Sequence, residues 1–171
     1  MRAHYLLVPL AMLVFGCNQS GETTERERTE TKKAKKTVAV PEFVERQYNC
    51  IDYQVKAFSI GLERLENENI KTYLRDNLPM LENLRSDFQT TATNNGMKIE
   101  ENSKVNENEL YKLTVADAKD FDKVFILYYK DFLKNSIEQL SEVEVSNPDF
   151  APLKDKYGHI LYEQKLFFDV L

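Results

Sequence analysis

Val44-Glu-Arg-Gln-Tyr48-Asn-Cys-Ile51-Asp-Tyr-Gln-Val55-Lys-Ala-Phe58-Ser-Ile-Gly-Leu62-Glu-Arg-Leu65 is the stretch that decides the fold class. Its apolar residues Val44, Tyr48, Ile51, Val55, Phe58, Leu62 and Leu65 recur at alternating steps of four and three. Residues spaced this way share one face of an α-helix, so all of them fall on a single stripe. A strand would alternate every second residue instead. An apolar stripe has to be buried against another element, so this helix predicts partners elsewhere in the chain. Pro41 suits its first turn, where a missing N–H is harmless. Asn67 and Asn69 mark its end.

The partners lie downstream. Ile70, Leu74, Leu78, Leu81, Leu84 and Phe88 repeat the same spacing, and Pro79 inside the run predicts a kink or local break. Asn94-Asn95-Gly96 is a helix stop followed by a turn. The polar stretch 97–113 reads as a loop with a short helical piece around 107–111. Thr114-Val-Ala-Asp117 reads as a capping box with Asp in place of Glu. It opens a third helix over about 115–145, whose apolar set is broad enough for cover on more than one side. Asn147-Pro148 opens a fourth, with Leu153, Tyr157, Ile160, Phe167 and Leu171 on one face and Gly158 as a weak point. Four long amphipathic helices without a strand signal predict an all-α fold over residues 41–171, an antiparallel four-helix bundle.

Residues 1–16 have a different character. Arg2 is followed by an apolar run over 5–15, then Gly16 and Cys17. The run is too short for a bilayer span of about 20 residues, and it fits the apolar region of about 7–15 residues in a signal peptide. Val14-Phe15-Gly16-Cys17 resembles a lipobox, which implies cleavage before Cys17 and acylation of that cysteine. Each acyl CH₂ buried in lipid contributes about 0.8 kcal/mol, and more than one chain anchors stably. The alternative is an ordinary secretory signal cut near Gly16, leaving Cys17 as a plain thiol. Asn18, rather than Asp, follows the cysteine, which favours the outer membrane, on its periplasmic face or at the cell surface.

Residues 17–40 form the expected flexible, charged tether, nearly free of large apolar side chains before Val38. Its basic residues Arg26, Arg28, Lys32, Lys33, Lys35 and Lys36 outnumber Glu22, Glu25, Glu27 and Glu30. With a net charge of −5 for the whole chain, the helical part is therefore more acidic still. An acidic domain argues against a nucleic-acid partner, which needs a basic face. The basic half of the tether has the charge to touch anionic head groups. A solvated linker is the plainer reading.

Few residues carry recognisable chemistry. Lipidation occupies Cys17, so Cys50 has no internal disulfide partner and reads as a small buried hydrophobe. Of the two histidines, His4 leaves with the signal and His159 remains. A ferritin-like di-metal centre needs Glu-x-x-His on each of two helices plus two further Glu residues. Here Lys156 stands three residues before His159, so no metal site and no cofactor are expected. No CxxC or Gly-rich phosphate loop occurs, and a Ser-His-Asp set would need a partner for His159 placed by the fold. Asp117/Asp120 and Glu138/Glu142 are carboxylate pairs at helical spacing. They read as solvated faces, the first pair in a helix's first turn where negative charge is favourable, rather than as a site for a hard cation. Phe121, Phe125, Tyr128, Tyr129 and Phe132, with Tyr157, Tyr162, Phe167 and Phe168, read as core rather than as a pocket for an apolar ligand.

Phe43-Val-Glu and Leu113-Thr-Val-Ala-Asp-Ala-Lys-Asp-Phe-Asp-Lys-Val-Phe125 resemble the first-helix start and the Leu…Phe-Asp-x-x-Tyr opening of the third helix in a bacterial envelope family. That family is of unknown function, with a ferritin-like four-helix bundle, and the resemblance covers roughly 41–171. Its members carry histidines on the second, third and fourth helices, the first as Asp-His. The matching regions here read Asn77-Leu-Pro-Met-Leu-Glu82, Lys130-Asp-Phe-Leu-Lys134 and Gly158-His-Ile-Leu-Tyr-Glu163. None reproduces the pattern, so the family's site is not carried over. The expectation is a lipid-anchored, non-enzymatic helical domain that binds another envelope component or serves a stress or structural role. Its rivals are a degenerate ferritin-like protein with residual ligand or metal binding, and an oligomeric coiled coil through 44–65.

Overall fold

The computed structural model describes residues 36–100 and 110–171. The signal, Cys17 and the tether through residue 35 lie outside the described residues, as does most of the loop helix expected around 107–111. The described chain is mostly helical. Helix α1 spans Val40–Arg64, α2 Glu68–Asn94, α3 Phe121–Glu142 and α4 Ala151–Asp169. A short helical piece occupies 110–115, and a 3-10 turn Ala118–Asp120 precedes α3. Among the described residues no helix is long and apolar enough to cross a membrane.

The seam of α1 is buried at Val44, Tyr48, Ile51, Val55, Phe58 and Leu65, with Leu62 part-buried against the core. Burial extends well beyond the seam, to Phe43, Gln47, Asp52, Tyr53, Gln54, Ala57 and Gly61. The reason is that α1 packs against both α2 and α3. Its end is tied down from a distance. The Asp122 carboxylate accepts the backbone N–H groups of Glu66 and Asn67, each at 2.9 Å. Asn67 then caps α2, its side chain accepting from the N–H groups of Asn69 and Ile70. Arg64 donates to the carbonyls of Leu113, Thr114 and Ala116 at 2.5, 2.7 and 2.6 Å and lies 4.3 Å over the Phe121 ring. These carbonyls are left over where the 110–115 helix stops, so one guanidinium closes that helix end.

In α2, Ile70, Leu74, Leu81, Leu84 and Phe88 are all fully buried. The expected break at Pro79 does not occur, because α2 stays helical on both sides of it. The proline removes one backbone donor, while the buried stripe on either side holds the helix against its neighbours. The helix stops at the predicted place. Gly96 adopts φ 70°, and the N–H groups of Gly96 and Met97 return to the carbonyls of Thr93 and Ala92. A left-handed residue there favours glycine.

The third helix differs from expectation at its start. The Thr114 hydroxyl donates back to the Leu110 carbonyl at 3.0 Å, within the preceding helical piece, and so does not cap the third helix. Asp117 accepts from the Lys119 N–H and caps the 3-10 turn. Helix α3 therefore begins at Phe121, not at 115, and ends at Glu142 rather than 145. The fourth helix also starts late. The Asn147 side chain accepts from the Asp149 N–H at 2.8 Å, and this turn occupies the chain until α4 begins at Ala151.

One small element was not expected. Lys36–Thr37 (β1) pairs in parallel with Val143–Glu144 (β2), in the register Lys36↔Val143 and Thr37↔Glu144. Val38 is buried just after it. The packed chain thus begins ahead of residue 41, at the first large apolar side chains after the charged run.

The core has aromatic clusters at both ends. Phe88 lies 6.4 Å from both Phe43 and Phe150. Elsewhere Tyr129 packs against Phe58 at 5.4 Å, Phe125 at 5.8 Å and Phe168 at 4.8 Å. Gly61 sits beside Leu74 and Phe125, so closely that a Cβ there would lie 2.6 Å from Leu74 Cδ1.

Candidate functional site

The core also holds polar side chains. Gln54 on α1 and Gln164 on α4 are fully buried, as are Tyr129 on α3 and Tyr157 on α4. The helical repeat puts these residues inside. Gln54 is three residues from Ile51 and four from Phe58, and Gln164 is four from both Ile160 and Phe168, so both amides ride on apolar stripes. Gln54 also lies one turn from Cys50 on one side and one turn from Phe58, the neighbour of Tyr129, on the other.

These buried groups are only partly satisfied within the protein. The Tyr129 hydroxyl donates to Gln164 Oε1 at 3.1 Å. Neither amide atom of Gln54 has a hydrogen-bond partner in the protein, nor do the Tyr157 hydroxyl and Gln164 Nε2. Leaving a buried donor or acceptor unpaired costs about 1–3 kcal/mol per group. Such groups are rare in native cores, and each calls for an explanation.

The buried hydroxyls and the Cys50 thiol are also uncharged. Burial pushes the Tyr129 and Tyr157 hydroxyls well above the usual phenol range, and charge on Cys50 and Tyr129 would push Tyr157 further. Burial raises the Cys50 thiol to about 11, against a smaller opposing pull from Arg46. At neutral pH these groups keep their protons. They donate and accept hydrogen bonds, but none is a nucleophile or general base at that pH. The nearby charge on α1 is already engaged: buried Asp52 holds Arg85 of α2 at 2.8 Å and Lys56 at 2.7 Å.

The residues singled out in the sequence are dispersed. Cys17 lies outside the described residues. Cys50 is part-buried and free of any disulfide. His159 is 74% exposed, with Nε2 3.2 Å from the Glu163 carboxylate. Asp117, Asp120, Glu138 and Glu142 are all exposed. Among the described residues no three His, Cys, Asp or Glu side chains are grouped for a metal ion. Of the aromatic set, Phe121, Phe125, Tyr129, Tyr157 and Phe168 are core, and Tyr128, Phe132 and Phe167 pack against it. Tyr162 is 56% exposed and stands apart from them. Sequence reasoning passed over Gln54 and Gln164, although their places on the apolar stripes were a usable signal. Comparison of the chain with protein-family models, curated proteins and solved structures returns no match.

Proposed function

We propose that this chain is a lipoprotein held at the outer membrane through acylated Cys17, with a tether ahead of a non-catalytic helical domain that engages another envelope component. The observation that carries this reading is the order Arg2, apolar run, Gly16, Cys17, charged segment, helical domain. The four helices are proposed to form an antiparallel, ferritin-like bundle. Support comes from the contacts between chain neighbours, α1 with α2 and α3 with α4, and from those of α1 with α3 and α2 with α4. The raised Tyr129, Tyr157 and Cys50 groups suit a binding role better than acid–base work at neutral pH. The test is Cys17→Ser followed by membrane fractionation and intact-mass analysis. Release into the soluble fraction, or accumulation of the uncleaved precursor, is expected. A variant that is cleaved normally and still sediments with membranes overturns the anchor. Crosslinking in intact cells with the lipidated chain then captures the partner.

A second reading has one observation in its favour. A degenerate ferritin-like protein retaining ligand or metal binding would place that binding between the helices, where such folds build their sites. Gln54, Gln164 and Tyr157, buried in the helical core, carry polar atoms without a partner in the protein. Incubating the chain with iron or zinc, then desalting and analysing for metal, tests the metal form of this reading. Stoichiometric retention supports it and counts against the first.

A further inference from the structure

An open groove of about 530 Å³ lies between α1 and the 110–115 helical piece. Lys56, Ser59 and Ile60 line it from α1, and Leu110, Tyr111 and Thr114 from the other side. Each set lies within about one helical turn, so each wall is a single helix face. Arg64 ties the two walls together, because it sits on α1 and donates to the carbonyls of Leu113, Thr114 and Ala116. The volume falls within the range of about 300–1,000 Å³ typical of small-molecule sites. Tyr111 is 64% exposed, so its ring is left to solvent on a wall it shares with Leu110.

The charge at its rim is unbalanced. The Asp52 carboxylate is shared by two cations, Arg85 at 2.8 Å and Lys56 at 2.7 Å, so the three side chains carry one positive charge in excess. Lys56 is the member that lines the groove, and its side chain is 44% exposed. Glu63, the next acid along α1, is about 10 Å further along the helix axis and exposed. That separation exceeds the screening length of about 8 Å at physiological salt. The Ser59 and Thr114 hydroxyls donate to the carbonyls of Val55 and Leu110, which leaves Lys56 and Tyr111 to supply side-chain donors to a guest. We propose that this groove binds a small amphipathic carboxylate, its anionic head on Lys56 and its apolar or aromatic body against Ile60, Leu110 and Tyr111. An amphipathic cation would meet the excess positive charge, and a wholly apolar guest would leave the ammonium unused. The groove lies outside the helix interior, so this site goes beyond both readings above.

The full chain, isotopically labelled and extracted in detergent, is titrated with phenylpropionate and with its neutral isostere phenylpropionamide while NMR follows the backbone amides. Saturable shifts confined to the residues around 56–60 and 110–114 are expected, with the carboxylate bound about five- to tenfold more tightly than the amide. Lys56→Met keeps an unbranched apolar stem and leaves Asp52 paired with Arg85, and it should bring the two affinities together. Tyr111→Ser removes an exposed ring and should weaken both ligands alike; it carries the test if Lys56→Met does not fold. The proposal is overturned if neither ligand gives saturable shifts, or if the parent chain binds acid and amide equally. A preference for the acid that survives Lys56→Met, affinities untouched by Tyr111→Ser, or shifts centred elsewhere on the chain overturn it as well.

Discussion

Gly61→Ala reverses the usual sign of a glycine-to-alanine change in a helix. In an unconstrained helix interior, alanine is favoured over glycine by about 1 kcal/mol. At Gly61 the added methyl would lie 2.6 Å from Leu74 Cδ1 and 2.9 and 3.0 Å from two Phe125 ring atoms. Carbon atoms in good contact sit about 3.5–4.0 Å apart. Leu74 and Phe125 are both fully buried, so neither has open solvent to move into. Overpacking of a filled core costs about 1–3 kcal/mol, and contacts this short on two helices at once place the cost in the upper part of that range. Set against the helix gain, the net expectation is destabilisation by about 1–2 kcal/mol. Gly158→Ala is the internal control. Its methyl would meet only Leu140 Cδ2, at 3.4 Å, beside an open groove of about 260 Å³ between α3 and α4. There the helix term dominates, giving stabilisation of about 0.5–1 kcal/mol. Urea unfolding followed by circular dichroism, with unchanged slopes, reads both variants. A Gly61→Ala chain as stable as the parent refutes the argument that α1 needs a glycine to approach α2 and α3.

Arg64→Lys tests the closure of the 110–115 helix. A lysine keeps the charge but cannot fork to the carbonyls of Leu113, Thr114 and Ala116, so a loss of about 1.5–3 kcal/mol and faster amide exchange over 110–115 are expected; unchanged exchange would count against the clamp. Cys50 sets an alkaline limit. Its thiol lies at about 11 in the folded chain against 9.0 for the free group, so the unfolded chain releases its proton first and stability falls as pH rises from 9 through 11. The loss approaches about 2–3 kcal/mol, and Cys50→Ala should flatten the urea-midpoint profile below pH 10, above which the raised Tyr73, Tyr129 and Tyr157 hydroxyls lower stability in either chain. At pH 8 the native thiol should also react with a disulfide reagent about 100-fold more slowly than an unperturbed one, as site-resolved mass spectrometry would register.

What the sequence revealed and what it concealed divide along a physical line. The helices announced themselves because each carries an apolar stripe of five or more turns' reach, and Val44 through Leu65 came out buried almost as the repeat implies. Boundaries depended on single side-chain hydrogen bonds. Thr114 had two chemically equivalent uses, capping the next helix or bonding back to Leu110, and nothing local distinguishes them. Pro79 was a fair signal for a break, yet buried neighbours on both sides outweigh one lost backbone bond. The candidate site was legible only in part. Tyr129 and Tyr157 stood out as aromatic, whereas Gln54 and Gln164 look like surface residues until the cover on α1 and α4 is known. The β1–β2 bridge is two residues long, too short to leave any periodicity.

That bridge also fixes where a pull on the N-terminal side enters the molecule. Tension arriving at Lys36 meets the backbone pairing to Val143–Glu144 and then the buried Val38, before it reaches the first turn of α1. Each backbone hydrogen bond contributes only about 0.5–1.5 kcal/mol net. Under load this bridge would open before α1 does, adding a few residues of extended chain ahead of the helix.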